Sequence, residues 1–526
     1  MWERYKQYLF HHEHLGLTLD ISRVPFPEDY LPSMEGKMAE IYEQMAELEG
    51  GAIANPDEGR MVGHYWLRCP ELAPDPAIAR EIRETVAAIK SFAARVHEGS
   101  IRGEKGRAFI NYLVIGIGGS SLGPRFLADA LGNGEDKLKG YFIDNTDPDG
   151  MDRVFAQLET DLDRTLTIVI SKSGGTVETR NGMEETRRFY ARQGLSLPNH
   201  GVIITQRGSK LDRLGREEKW LAAFPMWDWV GGRTSVLSAV GLLPLALQGI
   251  DIDGLLAGAR EGDRVSRRKN TRDNPAALMT LMWYWLTKGQ GGRQLVMLPY
   301  KDRLELFTKY LQQLIMESLG KEKDLAGNTV HQGLAVLGNK GSTDQHSYVQ
   351  QLLEGPDNFF VTFIRVLKDR EGPSPIIAEN STSGDYLQAF LLGTRKALTM
   401  KGRASITISL RELNSFSLGV LLSLFERTVS MYAFLVNINA YHQPAVELGK
   451  KSAGEIIALK NRVVDWLNRH PGRSFGVEEL AGELGQAEET ETVAQILQHL
   501  AVNPQWGILA EGDGHPLLNR YLVIKK

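Results

Sequence analysis

Short apolar runs rich in β-branched residues alternate with helical patterns through the first half of the chain. The runs are Tyr112–Ile117, Tyr141–Ile143, Thr167–Ile170 and Val202–Thr205, and helical patterns over 121–132, 150–159 and 177–193 fill the gaps. A strand and a helix recurring about every 30 residues are typical of βαβ units. Such units form a parallel sheet that is covered by helices on both faces.

A second, less regular series of the same kind follows. Its predicted strands are Gln294–Leu298, Phe359–Val366 and Ser405–Leu410, and its predicted helices are 303–319, 384–398 and 417–435. At 526 residues, the chain also exceeds the size at which one hydrophobic core keeps growing. The sequence therefore predicts two large α/β domains.

The two ends of the chain differ from this pattern. The first 60 residues read as helices, with an amphipathic stretch from Met34 to Leu48 that ends at Gly50. A long helix over 444–468 is predicted to close the second domain. A small unit after it, with helices at Val477–Leu484 and Thr492–Leu500 and paired strands at Trp506–Leu509 and Tyr521–Ile524, has the element order of a winged helix. The predicted segments are 1–60, 61–260, 261–470 and 471–526.

Composition excludes several classes of function. The net charge of −4 gives no general argument for nucleic acid or an anionic membrane as a partner, and acidic residues outnumber basic ones after residue 471. Cys69 is the only cysteine, so an internal disulfide or a thiolate metal cluster is impossible, which fits a reducing compartment.

The sequence also lacks patterns typical of export or membrane insertion. The first residues do not resemble a signal peptide. The uncharged run from Thr234 to Ile250 is shorter than the roughly 20 apolar residues of a membrane span. We expect a soluble, cytoplasmic protein.

Two glycine-containing segments follow predicted strands and precede helices. The first, 116–124, has glycines at 116, 118 and 119, which do not complete a dinucleotide-binding fingerprint. It is either a ligand-binding loop or only a tight turn.

The second segment, 171–179, combines two glycines with Ser171, Lys172, Ser173 and Thr176. Backbone N–H groups, hydroxyls and an ammonium suit a phosphate dianion, whereas capping the helix needs only one hydroxyl.

Two further segments carry charged groups that suit proton chemistry. In 230–235, two glycines precede Arg233, whose guanidinium could stabilise a developing oxyanion or could be solvated. In the predicted helix 310–321, Gln313 and Glu317 lie four residues apart and can both face a cleft. Taken alone, Glu317 and Lys321 have the spacing of an ordinary exposed helix pair.

The last two segments are less specific. His346 follows a turn at 338–344 and is predicted in the first turn of a helix over 345–353, where an imidazole tends to be neutral and able to accept a proton. The segment 443–451 begins with Gln443 and ends with Lys450 and Lys451. Spacing does not show which lysine points inward.

Together, and in the same order, these segments resemble the glucose-6-phosphate isomerase (phosphoglucose isomerase) family, in the variant of its bacterial and plastid members. The family's GGR segment is similar to Gly231–Leu242, its M-E-S-x-G-K motif to Met316–Lys321, its Q-H segment to Gln345-His346 and its V-E-L-G-K motif to Val446–Lys450. The resemblance covers about 110–455 and implies two sugar-isomerase (SIS) domains. Each is a doubly wound, mainly parallel α/β sheet in a three-layer sandwich, and the chain carries a small C-terminal extension.

The resemblance also implies the roles of individual residues. Glu317 moves the proton between C2 and C1, Arg233 stabilises the enediolate, and His346 opens the hexose ring with help from Lys450. Ser171, Lys172, Ser173 and Thr176 hold the phosphate, and Gly119, Ser120, Gln313 and Gln443 line the site. It implies a hexose 6-phosphate substrate, a homodimer whose sites borrow the histidine from the partner subunit, and neither metal nor cofactor.

Some positions depart from the family pattern. Gly174-Gly175 stand where many relatives carry larger residues, and Pro444 stands where an aromatic residue is common. Two alternatives to a glucose-6-phosphate isomerase stay open. One is an isomerase that also accepts mannose 6-phosphate, and the other is a non-catalytic sugar-phosphate sensor. A sensor would need the phosphate loop but not Glu317, His346 or Lys450.

Overall fold

A computed structural model describes residues 1–512 and 514–524. The chain divides into two compact units, Met1–His442 and a second unit that begins at Gln443. The strands are β1 (Leu9–His12), β2 (Leu17–Arg23), β3 (Asn111–Ile115), β4 (Lys139–Ile143), β5 (Thr165–Ile170), β6 (Gly201–Thr205), β7 (Ala222–Pro225), β8 (Gln294–Pro299), β9 (Lys321–Lys323), β10 (Thr329–Gln332), β11 (Val336–Leu337), β12 (Phe359–Val366), β13 (Ser405–Leu410), β14 (Ile508–Glu511) and β15 (Arg520–Val523).

Helices follow most of these strands. They are α1 (Trp2–Gln7), α2 (Tyr30–Glu49), α3 (Pro76–His97), α4 (Leu122–Leu131), α5 (Pro148–Leu158), α6 (Val177–Arg192), α7 (Lys210–Glu217), α8 (Ala239–Gln248), α9 (Ile252–Ser266), α10 (Pro275–Thr287), α11 (Phe307–Leu311), α12 (Val349–Glu354), α13 (Ser383–Met400), α14 (Ser415–Leu435), α15 (Pro444–Arg469), α16 (Val477–Glu483) and α17 (Thr490–Ala501).

The first sheet is parallel throughout, in the order β4-β3-β5-β6-β7. Successive residues of β3 belong to different clusters of apolar side chains. Tyr112 and Val114 pack in the large core, whereas Leu113 and Ile115 pack with side chains of α5 and α6. Because side chains of a strand alternate between its faces, this sheet is covered on both sides, as the sequence predicted.

The second sheet has the order β1-β2-β13-β12-β8-β11. Its strands β13, β12, β8 and β11 are parallel, and β2 pairs antiparallel with β13. Val296 and Leu298 of β8 pack with side chains of α12 and α13, and their neighbours Leu295 and Met297 pack in the large core. The predicted fold class, α/β with two mainly parallel doubly wound sheets, is confirmed.

One prediction for the N-terminal segment is wrong in part. The first 60 residues were predicted to be helical, and α1 and α2 agree with this. However, β1 and β2 form an antiparallel hairpin at the edge of the second sheet. In β2, Leu17, Leu19 and Ile21 are buried and alternate with polar residues. That period of two is typical of a strand, so the sequence did contain the signal.

The apolar helix α14 lies in the core of the first unit. Among the described residues it is the helix that is long and apolar enough to cross a membrane, but nearly all of its apolar stretch is buried inside the protein. Arg427 of α14 and Arg68 both donate to the buried carboxylate of Asp263 on α9, over 2.7–2.9 Å. These guanidinium groups hold the pKa of Asp263 well below its usual range. The cluster ties α14 to α9.

The second unit has its own small core. Leu459, Val463 and Leu467 of α15 pack with side chains of α16, α17 and the antiparallel pair β14–β15. This arrangement has the predicted order of two helices followed by a hairpin. The division into the four segments 1–60, 61–260, 261–470 and 471–526 stays a prediction.

Candidate active site

Two of the predicted loops start at adjacent strand ends. The chain leaves β3 toward β4 on one side and later returns to β5 on the other, so the strand order reverses between β3 and β5. In open α/β sheets, ligands bind at this position, in the crevice beyond the carboxyl ends of the strands. The glycine loop (116–121) follows β3 and the hydroxyl loop (171–176) follows β5. The fold therefore brings both loops to its most favourable ligand-binding edge.

A third segment, the arginine loop (226–235), follows β7 and packs directly on the glycine loop. A Cβ on Gly119 would lie 1.9 Å from the carbonyl oxygen of Gly232, so only glycine fits there. The Ser235 hydroxyl donates to the Gly232 carbonyl at 2.8 Å. Glycines in the glycine loop and the arginine loop thus allow the backbones of the two loops to pack closely.

The hydroxyl loop is organised by its own side chains. The Ser171 oxygen accepts a hydrogen bond from the Gly174 N–H at 3.1 Å, and its hydroxyl donates to Thr176 Oγ1 at 3.2 Å. Ser173 is exposed, and its oxygen accepts from the Gly175 N–H at 3.1 Å. Thr176 is the residue before α6. The loop therefore presents hydroxyls and backbone N–H groups at a helix N-terminus, which is a favourable environment for an anion.

Lys172 has two backbone partners that the sequence pattern did not indicate. Its ammonium donates to the carbonyl oxygens of Asp228 and Val230, at 2.9 Å each, and burial lowers its pKa to about 8. Lys172 therefore connects the hydroxyl loop to the arginine loop. Its ammonium also places a positive charge near the crevice.

The arginine loop carries Arg233 to the carboxylate of Glu317. Arg233 Nη2 lies 3.3 Å from Glu317 Oε1, and the two side chains are 4% and 23% exposed. The guanidinium also donates to the carbonyl oxygen of Ala440 at 3.1 Å. Burial lowers the pKa of Arg233, and Glu317 opposes that effect. The sequence was also compatible with a solvated Arg233, but the structure shows that this side chain is buried.

Glu317 ends a turn of π-helix, Gln312–Glu317, which directly continues α11. The helix predicted over 303–319 is thus shorter and partly of another type. Such π-turns occur frequently at functional sites. A Cβ on Gly118 would lie 3.1 Å from Nε2 of Gln313, so Gln313 reaches the glycine loop. Gln313 therefore lies near the glycine loop, and Glu317 pairs with Arg233 of the arginine loop. That both side chains face one cleft stays a prediction.

Lys321 does not form the exposed side-chain pair with Glu317 that its spacing suggested. It is 5% exposed, and its ammonium donates to the backbone carbonyl of Glu317 at 2.7 Å. The carboxylate of Glu317 is left to Arg233. The alternative of an ordinary surface ion pair is therefore wrong for this helix.

The chain is similar to known proteins along nearly its whole length. The family model described as phosphoglucose isomerase matches residues 33–466. The chain belongs to the phosphoglucose isomerase family. It is 63% identical to a glucose-6-phosphate isomerase of Desulfitobacterium hafniense (strain Y51), over 98% of this chain and 96% of that protein. It is 59% identical to a glucose-6-phosphate isomerase of Geobacter sp. (strain M21), over 97% and 96%.

Solved structures show the same fold. The crystal structure of a glucose-6-phosphate isomerase from Chlamydia trachomatis superposes with a TM-score of 0.80 and 28% identity, covering 87% of this chain and 91% of that one. A hypothetical protein from Thermus thermophilus superposes with a TM-score of 0.71 and 27% identity, covering 84% and 100%. The resemblance inferred from the motifs is therefore confirmed at the level of family and fold.

The family's Q-H segment lies on the surface of the first unit. His346 ends a short 3-10 helix, Thr343–His346, and its side chain is exposed. Ser347 and Tyr348 separate it from α12. It was predicted inside the helix itself. Asp344 organises the segment by accepting from the N–H groups of Asn339 and Lys340, at 2.9 and 3.0 Å. Gln345 donates to the carbonyl oxygen of Phe390 on α13.

The remaining predicted residues belong to other elements. Gly119 and Ser120 lie in the glycine loop and are half-buried. Gln443 precedes α15, and Lys450 is an exposed residue of that helix, so both belong to the second unit. In the described part of the chain, His, Cys, Asp and Glu side chains form no group of three or more that could hold a metal ion.

Sequence reasoning missed a polar cluster beside Arg233. The Asn439 amide donates to Asn55 Oδ1 at 3.0 Å and to Asp57 Oδ2 at 2.6 Å, which ties the turn Asn55–Arg60 to the segment 439–442. The carbonyl oxygen of His442 accepts from Arg233 at 3.4 Å. These partners are far apart in the sequence, so no local pattern could have indicated them.

Proposed function

We propose that this protein interconverts glucose 6-phosphate and fructose 6-phosphate by moving a proton between C2 and C1 through an enediol. The observation that carries the proposal is the pairing of the Glu317 carboxylate with the buried guanidinium of Arg233 at 3.3 Å. The family membership and the phosphate-compatible loop at the strand-order reversal support the same reaction.

The chemistry needs the two charged groups together. A proton next to a carbonyl is only weakly acidic, so a carboxylate must be held close to it. As Glu317 removes the proton from C2, negative charge develops on the neighbouring oxygen, and Arg233 is positioned to stabilise it. The same carboxyl then returns the proton at C1, and the hydroxyl proton passes from the oxygen on C2 to the oxygen on C1. The substrate's carbonyl and hydroxyl carbons exchange oxidation states internally, so the overall reaction is redox-neutral.

The remaining predicted residues complete the proposed site. Ser171, Lys172, Ser173 and Thr176 bind the phosphate, and Gly119, Ser120, Gln313 and Gln443 contact the sugar. His346 transfers the ring proton so that the cyclic sugar opens, and Lys450 assists it. We also propose a cytoplasmic location, and hexose phosphates rather than nucleic acid or membranes as the partners.

A coupled assay tests the reaction. Fructose 6-phosphate is supplied, and glucose 6-phosphate is detected with a dehydrogenase specific for it. A signal that depends on the protein is expected. Folded protein that gives no signal but binds the sugar phosphate would instead favour the sensor. Mannose 6-phosphate in the same assay tests the broader specificity, because its conversion also ends in glucose 6-phosphate.

The hydroxyl loop should contribute binding rather than chemistry. Thr176→Val together with Ser173→Ala removes two hydroxyls that can donate to the phosphate. Hydrogen bonds to a charged group contribute about 1.5–3 kcal/mol each, so KM should rise by roughly 10²-fold or more, with kcat changed far less. Initial rates over a range of fructose 6-phosphate give both constants, and competition by inorganic phosphate should weaken in parallel.

Lys172→Met is the contrasting variant. Because Lys172 also holds the carbonyl oxygens of Asp228 and Val230, it should lower kcat as well as raise KM. If the double hydroxyl variant lost kcat while inorganic phosphate still competed normally, the hydroxyl loop would not be the phosphate site.

The surface around His346 favours a homodimer. His346 is exposed, and the nearby helix α13 exposes Tyr386 and Phe390, which are 43% and 46% accessible. Gln345, the residue before the histidine, donates to the backbone of Phe390, so α13 lies next to the segment that carries His346. Exposed aromatic side chains beside a functional residue are typical of an interface. We propose that this surface meets a second copy of the chain and delivers His346 to the partner's site.

Mixing two inactive variants tests the shared site. His346→Ala and Glu317→Gln subunits are unfolded together and refolded, or coexpressed with different tags. In a two-fold dimer with exchanged histidines, each mixed dimer has one intact site and one doubly altered site, so roughly a quarter of wild-type activity should return at equal mixing. Each variant refolded alone is the control. Mixed dimers without activity would show that His346 serves its own subunit.

A further inference from the structure

We propose that Lys321 is a positioning residue of the isomerase reaction: it fixes Glu317 through the backbone and keeps a positive charge behind it. The proposal rests on the function proposed above and adds a residue to it. Lys321 does not need to touch the substrate to act in this way.

The geometry shows how Lys321 could act. Glu317 is the last residue of the π-helical turn, and its carbonyl oxygen accepts from the Lys321 ammonium at 2.7 Å. The next bond along the chain runs from the Gly320 N–H to the Met316 carbonyl at 2.8 Å. The end of the π-turn is thus closed by two bonds from the residues just after it. A base that must meet one carbon atom of the substrate depends on such fixation of its backbone.

Burial makes Lys321 unusual. A lysine has a long, strongly hydrated side chain and is almost never fully buried unless it is paired, yet Lys321 is 5% exposed. A merely structural contact to one carbonyl could be made by a neutral donor. A lysine at this buried position therefore brings a charge that the hydrogen bond alone does not require.

The charged groups around Lys321 come from four elements. Arg233 of the arginine loop disfavours the ammonium, whereas Glu317 of the π-turn and Asp57 of the Asn55–Arg60 turn favour it. His442, from the segment after α14, lies close enough that Lys321 lowers its pKa. Burial is the largest effect and lowers the pKa of Lys321 to about 7. The ammonium therefore belongs to the same charge cluster as Glu317 and Arg233.

Three substitutions separate the hydrogen bond from the charge. Lys321→Met removes both, Lys321→Gln keeps a neutral donor, and Lys321→Arg keeps donor and charge. Lys321→Met should lower kcat by about 10- to 100-fold with KM changed less than about threefold, because Lys321 contacts the backbone of the base and not the phosphate loop. Lys321→Gln should lie between it and the wild type, and Lys321→Arg should recover the most activity.

The pH profile gives a readout that a purely structural role would not change. In the wild type, the ammonium loses its proton as the pH rises above about 7, which should produce a fall in kcat/KM. Lys321→Arg stays charged, so this alkaline fall should move to higher pH. Lys321→Met and Lys321→Gln carry no charge at position 321, so their lower activity should lack the fall near pH 7. A fall at higher pH from Lys172, whose pKa is about 8, should remain in every variant.

Lys323→Met is the matched control, since Lys323 lies two residues away on the same strand and is exposed. It should behave as the wild type. The proposal is overturned if Lys321→Met keeps the wild-type kcat and the alkaline fall in kcat/KM. If Lys321→Met does not fold, the same result with correctly folded Lys321→Gln overturns it. Lack of isomerase activity in the wild type would instead overturn the proposed function, so the two failures are distinguishable.

Discussion

Replacing Glu317 with glutamine should lower kcat by about 10²–10⁴-fold or more, the usual scale for loss of a general base. Glutamine keeps the size of the side chain and can still contact Arg233, but it cannot accept the proton from C2. KM should change far less, because the phosphate that we propose for the hydroxyl loop does not react. Initial rates with fructose 6-phosphate measure both constants. In D2O, the wild type should also introduce deuterium into the sugar, and the variant should not.

Glu322→Gln is the control, because Glu322 is an exposed carboxylate five residues along the chain. It should keep wild-type kcat. Thermal unfolding should show that Glu317→Gln is folded, since Arg233 still donates to the carbonyl oxygens of Ala440 and His442. If kcat of Glu317→Gln stayed within a few fold of the wild type, another group would be the base.

Much of the fold follows from local patterns. The runs at 112–117, 167–170 and 202–205 became β3, β5 and β6 within about two residues, because buried parallel strands need continuous apolar segments. The N-terminal hairpin was missed although β2 alternates apolar and polar residues. Its pairing with β13 joins segments almost four hundred residues apart, and such pairing is not encoded in a local pattern.

The sequence indicated candidate residues for the site but not the contacts between them. Glycines and hydroxyls after predicted strands suggested ligand-binding loops, and the structure places both loops where the strand order reverses. The π-turn was not predictable, because a helical pattern does not reveal one extra residue in a turn. Spacing alone suggested that Lys321 pairs with the Glu317 side chain, whereas burial sends its ammonium to the backbone carbonyl and leaves the carboxylate to Arg233.

The arginine offers the clearest separation of chemistry from binding. Replacing Arg233 with alanine should lower kcat by about 10²–10³-fold, as expected when a donor to a developing oxyanion is lost from a water-poor site. Arg233→Lys keeps a charge but not the planar fork of donors, so it should recover only part of that loss. Steady-state rates with fructose 6-phosphate measure the effect, and thermal unfolding checks that each variant is folded.

Inhibition by inorganic phosphate then shows where each residue acts. Arg233 lies beside Glu317, whereas the proposed phosphate site is the hydroxyl loop after β5, so Arg233→Ala should bind inorganic phosphate as the wild type does. The Ser173→Ala, Thr176→Val variant should show the reverse, with weak phosphate inhibition and nearly normal kcat. Loss of phosphate inhibition in Arg233→Ala at unchanged kcat would place the guanidinium on the phosphate. The proposed enediolate would then lack the guanidinium assigned to it, although a proton transfer that develops charge on oxygen needs that charge to be stabilised where it forms.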